Sequence, residues 1–192
     1  KASGRDLGRV KSAAVNQQIG VPFGCGEAGL LVLLWESGAI DLLRLDTQDC
    51  VQSYVEVEKD QGETTCFGFF TDDDGGWEEE GHTLVSGHSK GHVKVWSKTT
   101  EVPSEILGCF RVGEDSDGAV VAILPAGGKL FMTSLVEQTH MIVCNERGPI
   151  GIYEANTWQL LARVHVRPGM RPGYHLTSAV LFTPSLLLLC FS

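Results

Sequence analysis

The sequence predicts an all-β fold built from a repeated unit of short antiparallel strands, and three observations predict it. First, one pattern occurs three times: an apolar run, a few polar residues, a glycine, one further residue, then an alternating strand. The copies are LLVLLWESGAIDLLRLD around Gly38, HTLVSGHSKGHVKVWS around Gly91 and HMIVCNERGPIGIYE around Gly148. Second, alternation of apolar and polar residues in the second half of each copy suits a pleated surface with one face buried. Third, glycine is abundant at 23 residues against 7 prolines, and few long uninterrupted helical patterns accompany it, which leans toward turns and strands.

The elements follow in order along the chain. Residues 1–27 carry no clear unit pattern and are read as an N-terminal segment or linker, although AAVNQQIGVPF is compatible with a strand of the first unit. The first hairpin is followed by a third strand, CVQSYVEV (50–57). TTCFGFF (64–70) precedes the second hairpin and EILGCFRV (105–112) follows it. GAVVAILPA (118–126) precedes the third and WQLLARVHV (158–166) follows it. TSAVLFTP and LLLLCF begin a unit again. The units are 28–58, 64–112, 118–166 and 177–192. Glycine in each tight link is expected to supply the positive φ that hairpin turns need. Trp96 ends its strand where a large apolar side chain would pack between neighbouring sheets.

Four short strands per unit, repeated, is the pattern of a propeller blade. The stretch Ser86-Gly87-His88-Ser89-Lys90-Gly91-His92-Val93-Lys94-Val95-Trp96 resembles the S-G-S-x-D-G-x-V-x-V-W core of the WD-repeat β-propeller family. Gly151-Ile152-Tyr153-Glu154, followed by ANTWQLL, is similar to that family's repeat end. The resemblance covers residues 28–192, about three and a half repeats, and implies a divergent, partial propeller. Lys90 stands where the family has a turn aspartate, and Trp96-Ser97, Leu45-Asp46 and Tyr153-Glu154 stand in place of a Trp-Asp pair. The units are spaced more widely than the roughly 40–45 residues typical of the family, with insertions expected at 71–81 and within 127–140. Closed propellers have about four to eight blades, so the ring is expected to be incomplete in this chain. Its apolar end, SLLLLCFS, is read as a mark of a fragment, a spliced form or a partner-covered end.

Composition excludes several function classes. The formal charge of −9, from 15 basic and 24 acidic residues, argues against general nucleic-acid or anionic-membrane binding, which needs a basic field. The longest apolar runs fall far short of the roughly 20 residues of a membrane span. The six cysteines, Cys25, Cys50, Cys66, Cys109, Cys144 and Cys190, form no metal-binding spacing and sit mostly beside apolar residues. They read as free thiols in a reducing compartment, cytoplasmic or nuclear. No signal-peptide pattern opens the sequence.

Motifs with possible chemistry weaken on inspection. Gly24-Cys25-Gly26-Glu27-Ala28-Gly29 matches G-x-G-x-x-G, but Gly38 interrupts the helix a nucleotide site needs, so it reads as a flexible linker; a nucleotide-binding enzyme is the least favoured class. TDDDGGWEEEG (71–81) fails a calcium-loop pattern at both ends, Phe70 and Gly81, and reads as a solvated acidic loop whose Trp77 is a candidate partner anchor. His88 and His92 share a hairpin without a third metal ligand, and no nucleophile motif is present. No enzyme activity, cofactor or metal is expected.

In the blade reading, Lys90 and Arg147 lie in hairpin turns on one face. Arg167 and Arg171, in HVRPGMRPGYH, lie in a link on the same face. Together they make a candidate basic rim for an acidic or phosphorylated peptide. The leading expectation is a non-catalytic protein-interaction scaffold, a subunit of a larger intracellular complex, with another chain as a possible complement to the ring. The resemblance gives Ser86, Gly87, His88, Gly91, Trp96, Gly151 and Tyr153 structural roles within the blades.

Overall fold

The computed structural model describes residues 7–16, 29–55, 61–71, 82–96, 105–126, 140–154, 157–165, 175–183 and 186–192. Among them every regular element is a strand, apart from one 3-10 turn at Asp115–Asp117. The first sheet has the order β1 (Val10–Asn16), β2 (Leu30–Trp35), β3 (Ile40–Arg44), β4 (Cys50–Tyr54). The second is β5 (Thr64–Thr71), β6 (His82–His88), β7 (His92–Trp96), β8 (Ile106–Arg111). The third is β9 (Val120–Ala126), β10 (His140–Asn145), β11 (Ile150–Glu154), β12 (Leu160–Val164). A hairpin of β13 (Leu176–Thr183) and β14 (Leu186–Phe191) makes the fourth. All pairings within sheets are antiparallel.

Three hydrophobic cores join these sheets in sequence. Leu30, Val32, Leu34, Ile40, Leu42 and Tyr54 of the first sheet meet Leu84 and Trp96 of the second. Val85, Val93 and Val95 meet Val120, Ile123, Met141, Val143 and Tyr153. Ala122, Cys144 and Ile150 meet Leu176 and Ala179. Each middle sheet therefore buries both faces, one on each neighbour. β5 lies against β9, and β9 against β13, so first strands of successive sheets form the inside of the stack. Glycine permits that approach. A Cβ at Gly87 would stand 2.6 Å from Val120 Cγ1, and one at Gly68 would stand 2.9 Å from the Ile123 carbonyl. The result, among the described residues, is a stack of three four-stranded propeller-type blades and a two-stranded fourth sheet.

The first sheet differs from the sequence reading. Its fourth strand is β1, which lies inside the 1–27 segment read as linker; sheet pairing, with Ala14 opposite Val32 and Ala13 opposite Leu33, recruits it. Its sequence, VKSAAVN, is short and polar enough to hide its period, and only the apolar face of β2 gives it a partner.

Repetition extends to atomic detail in the links between third and fourth strands. Gln48 and Trp158 take left-handed φ of 60° and 56°. Their N–H groups donate to Arg44 O and Glu154 O, at 2.9 and 2.8 Å. Two residues after each closing threonine, Asp49 N and Gln159 N donate to Thr47 Oγ1 and Thr157 Oγ1. A register shift follows at the same place in the first and third sheets, and the second sheet carries one at Val95/Trp96.

Candidate functional site: the turn-bearing face

Within each sheet the link between second and third strands lies at the end where the first strand begins. β5 and β9 run side by side in the same direction, Thr65 beside Val120 and Gly68 beside Ile123. All three links therefore lie on one face of the stack. Each is fastened to the backbone that leads into its own first strand. Glu36 N and Ser37 N donate to Arg9 O and Leu7 O at 2.8 and 3.2 Å. Ser89 N donates to Glu63 O at 2.8 Å. Glu146 N and Arg147 N donate to Ala119 O and Asp117 O at 2.8 and 2.9 Å. Contacts also cross to the next sheet: Thr64 Oγ1 donates to Gly38 O at 3.3 Å, and Leu176 N to Glu146 O at 2.8 Å.

The glycines of the three turns have different reasons to be glycine. Gly38 and Gly91 hold φ of 88° and 76°, as the hairpin signal predicted. Gly148 is not among the positive-φ residues. It is needed for space, since a Cβ there would stand 2.5 Å from Asp117 Cβ. That correction reflects a tertiary contact with the 3-10 turn.

Trp96 sits where the sequence placed it, between the first and second sheets, 3% exposed, with its ring edge-on to Tyr54 at 5.9 Å. Its indole N–H donates to Ser86 Oγ at 2.8 Å. Ser86 Oγ lies 2.9 Å from His88 Nε2, and His88 Nδ1 lies 3.4 Å from Gly62 O. A carbonyl only accepts, so the Nδ1 atom carries the proton and Nε2 accepts from the serine hydroxyl. The chain of bonds runs one way, from Trp96 through Ser86 and His88 to Gly62, and ties the β6–β7 hairpin to the loop before β5. Burial holds the imidazole below its ordinary pKa, with His92 nearby adding to the effect against the Gly62 bond. The first sheet has its own half-buried polar bridge: Trp35 Nε1 donates to Asp41 Oδ2 at 2.8 Å, and Ser53 Oγ to Asp41 Oδ1 at 2.5 Å. Tyr153 packs on Phe110 with ring centres 5.0 Å apart, and burial raises its pKa while Arg163 opposes the rise. A Cβ on Gly151 would meet that tyrosine ring at 2.5 Å.

Lys90 and Arg147 are exposed on the turn-bearing face. Arg147 is engaged: its Nε donates to His175 Nδ1 at 2.9 Å, and Glu146 Oε1 lies 3.8 Å from its guanidinium and 3.3 Å from His175 Nδ1. Lys11 and Glu63 pair nearby at 3.1 Å. The described part of this face is thus mixed in sign rather than purely basic. Arg167, Arg171 and Trp77 lie outside the described residues, as do Gly24–Ala28 and most of the acidic 71–81 loop. No group of three His, Cys, Asp or Glu gathers among the described residues.

Sequence reading missed Asn145, whose Nδ2 donates to Val112 O at 2.6 Å and ties the end of the second sheet to the third. It also missed Glu146 and His175 as neighbours of Arg147. Asn145 ends an apolar strand just before the turn, which is the one signal that marks it.

No protein-family model matches the chain, and no curated protein matches it. In structure, 223 solved chains match it. One belongs to the crystal structure of the mitotic checkpoint complex. It is similar with a TM-score of 0.54 and 12% identity, over 85% of this chain and 42% of that one. This chain therefore spans under half the length of that neighbour. At such identity the likeness speaks for fold alone, which here is an all-β stack of propeller-type blades.

Proposed function

We propose that the chain is a WD-repeat-like propeller segment and acts as a non-catalytic protein-interaction scaffold in an intracellular complex. The observation that carries this reading is the fastening of three turns to one face by backbone hydrogen bonds. A partner meeting that face finds loops already ordered, so little conformational entropy is lost on binding. Cys50, Cys66, Cys109, Cys144 and Cys190 are free thiols, which favours a reducing compartment, cytoplasmic or nuclear.

Quantitative affinity capture tests the reading. Wild type is compared with a turn-face variant, Glu36→Lys with Lys90→Glu and Arg147→Glu, and with a perimeter control, Leu107→Glu. Partners lost from the first variant and kept by the second are expected; identical profiles for all three would remove the turn-bearing face from the function.

Exposure of Lys90 and Arg147 on the same face favours a narrower second reading, a reader of acidic or phosphorylated peptides. Titration of phosphopeptides against wild type and Arg147→Glu at two salt concentrations separates it. A reader loses affinity and salt dependence together.

A further inference from the structure

The outer strands of the second and third sheets, β8 and β12, flank a seam at the rim of the stack. Val93 and Val95 face the third sheet, so their cross-strand partners Phe110 and Gly108 face it too. Tyr153 faces the second sheet. Leu160 pairs with it, and Arg163 pairs with Gly151, two residues before Tyr153 and so on the same face. Trp158 closes one end of the seam: its ring lies on Gly108, where a Cβ would stand 2.6 Å from Cζ3. Leu160 beside it is 37% exposed, and Leu161, the residue that the register skips, is 50% exposed. Such a bulge turns a side chain out of the pleat. The Phe110–Tyr153 ring pair is the floor. Toward the other end the Tyr153 hydroxyl reaches over Gly151, 3.1 Å from where a Cβ would stand, next to exposed Arg163.

Apolar character and charge are segregated along this seam. A strand rises about 3.3 Å per residue, which puts Leu160 and Arg163 about 10 Å apart along β12. The two outer strands, ILGCFR and LLARV, contain no carboxylate, in a chain with 24 acidic and 15 basic residues. Arg163 has no ion-pair partner among the described residues. Glu154 alternates onto the face opposite Tyr153 and accepts from the Thr157 hydroxyl. Glu105 lies before β8, at the end away from Arg163.

We propose that this seam docks a short extended segment of a partner protein, one that carries a large apolar side chain and, about two to four residues away, an aspartate or glutamate. The apolar side chain joins Trp158, Leu160 and Leu161, and the carboxylate takes the planar fork of Arg163. Charge complementarity selects this occupant. One guanidinium is not the basic field that a nucleic acid or an anionic membrane needs. A purely apolar partner would strip water from Arg163 and return no counter-charge. The seam includes none of the residues of the three fastened turns, so this inference stands or falls independently of a partner on the turn-bearing face.

A display library of random peptides is sorted on the full chain and, separately, on Arg163→Glu. Recovered peptides are labelled with fluorescein and titrated by anisotropy. Expected from wild type is a class of peptides with the apolar and carboxylate spacing above, bound about tenfold more weakly by Arg163→Glu and by Leu161→Ser and equally well by Arg147→Glu. Expected from the Arg163→Glu bait is lysine or arginine in place of the carboxylate, which also shows that this variant is folded. Wild-type peptides with no preferred carboxylate, or the same preference on both baits, would overturn the proposal. So would loss of binding in Arg147→Glu, which would assign the peptides to the turn-bearing face. If such peptides bind only after the acidic 72–81 sequence is replaced by glycine and serine, the chain's own carboxylates hold the seam, and the proposal of a partner is overturned.

Discussion

At the residue scale the most constrained side chain is His88, which is fully buried. Burial favours its neutral form, and the neutral Nδ1–H tautomer donates to the Gly62 carbonyl while Nε2 accepts from the Ser86 hydroxyl. Ser86 then accepts from Trp96, so removing its hydroxyl strips partners from two buried rings at once. Ser86→Ala is expected to cost about 1–3 kcal/mol in urea unfolding. The pH dependence has a definite sign. The folded pKa of His88 lies below its ordinary value of 6.5 because of burial. The unfolded chain therefore takes up this proton first as pH falls. Stability from the neutral ring is whole above about pH 6.5 and drains as pH drops toward the folded value. Urea midpoints between about pH 7 and pH 5 are expected to fall more steeply for wild type than for His88→Asn. Parallel slopes would show that the ring does not couple folding to protons.

At the element scale the three hairpins look alike in sequence and are held differently. Gly91 needs its left-handed φ of 76°, and a Cβ there would also stand 3.1 Å from Gly118 O. Gly148 needs only room beside Asp117. Gly91→Ala is therefore expected to lose about 1–2 kcal/mol from backbone strain whatever surrounds it. Loss in Gly148→Ala depends on its neighbour and is expected to shrink in the Asp117→Gly background. Thermal melts of the two singles and the double decide this; equal losses for Gly148→Ala in both backgrounds would place its constraint in the backbone instead. Hairpins were legible because alternation over five or six residues is a local property. The role of Gly148 was not, because Asp117 reaches it from a separate link.

At the scale of the whole molecule, stability passes from sheet to sheet through three cores. In such arrays each unit leans on its neighbours and on little else. Removing β13–β14 uncovers Ala122, Cys144 and Ile150, which belong to the third core alone. Hydrogen exchange of a chain lacking residues 175–192 is expected to quicken in β9–β11 first, with β2 and β3 least affected. Uniform quickening throughout would mean that the stack opens as one cooperative body.

The sequence by itself determined where the strands run, which links turn tightly, and that Trp96 packs between sheets, since period-two alternation and turn glycines act over a few residues. It also carried Lys90 and Arg147 to one face, because strand order alone sends every second link the same way. Only the tertiary structure recruited β1 into the first sheet, turned Arg147 toward Glu146 and His175, and drew Gly62 into the bonds of His88. The contacts of His88 with Gly62 and of Arg147 with His175 join residues 26 and 28 positions apart, and β1 meets β2 across an intervening segment, so each depends on parts of the chain that local pattern does not bring together.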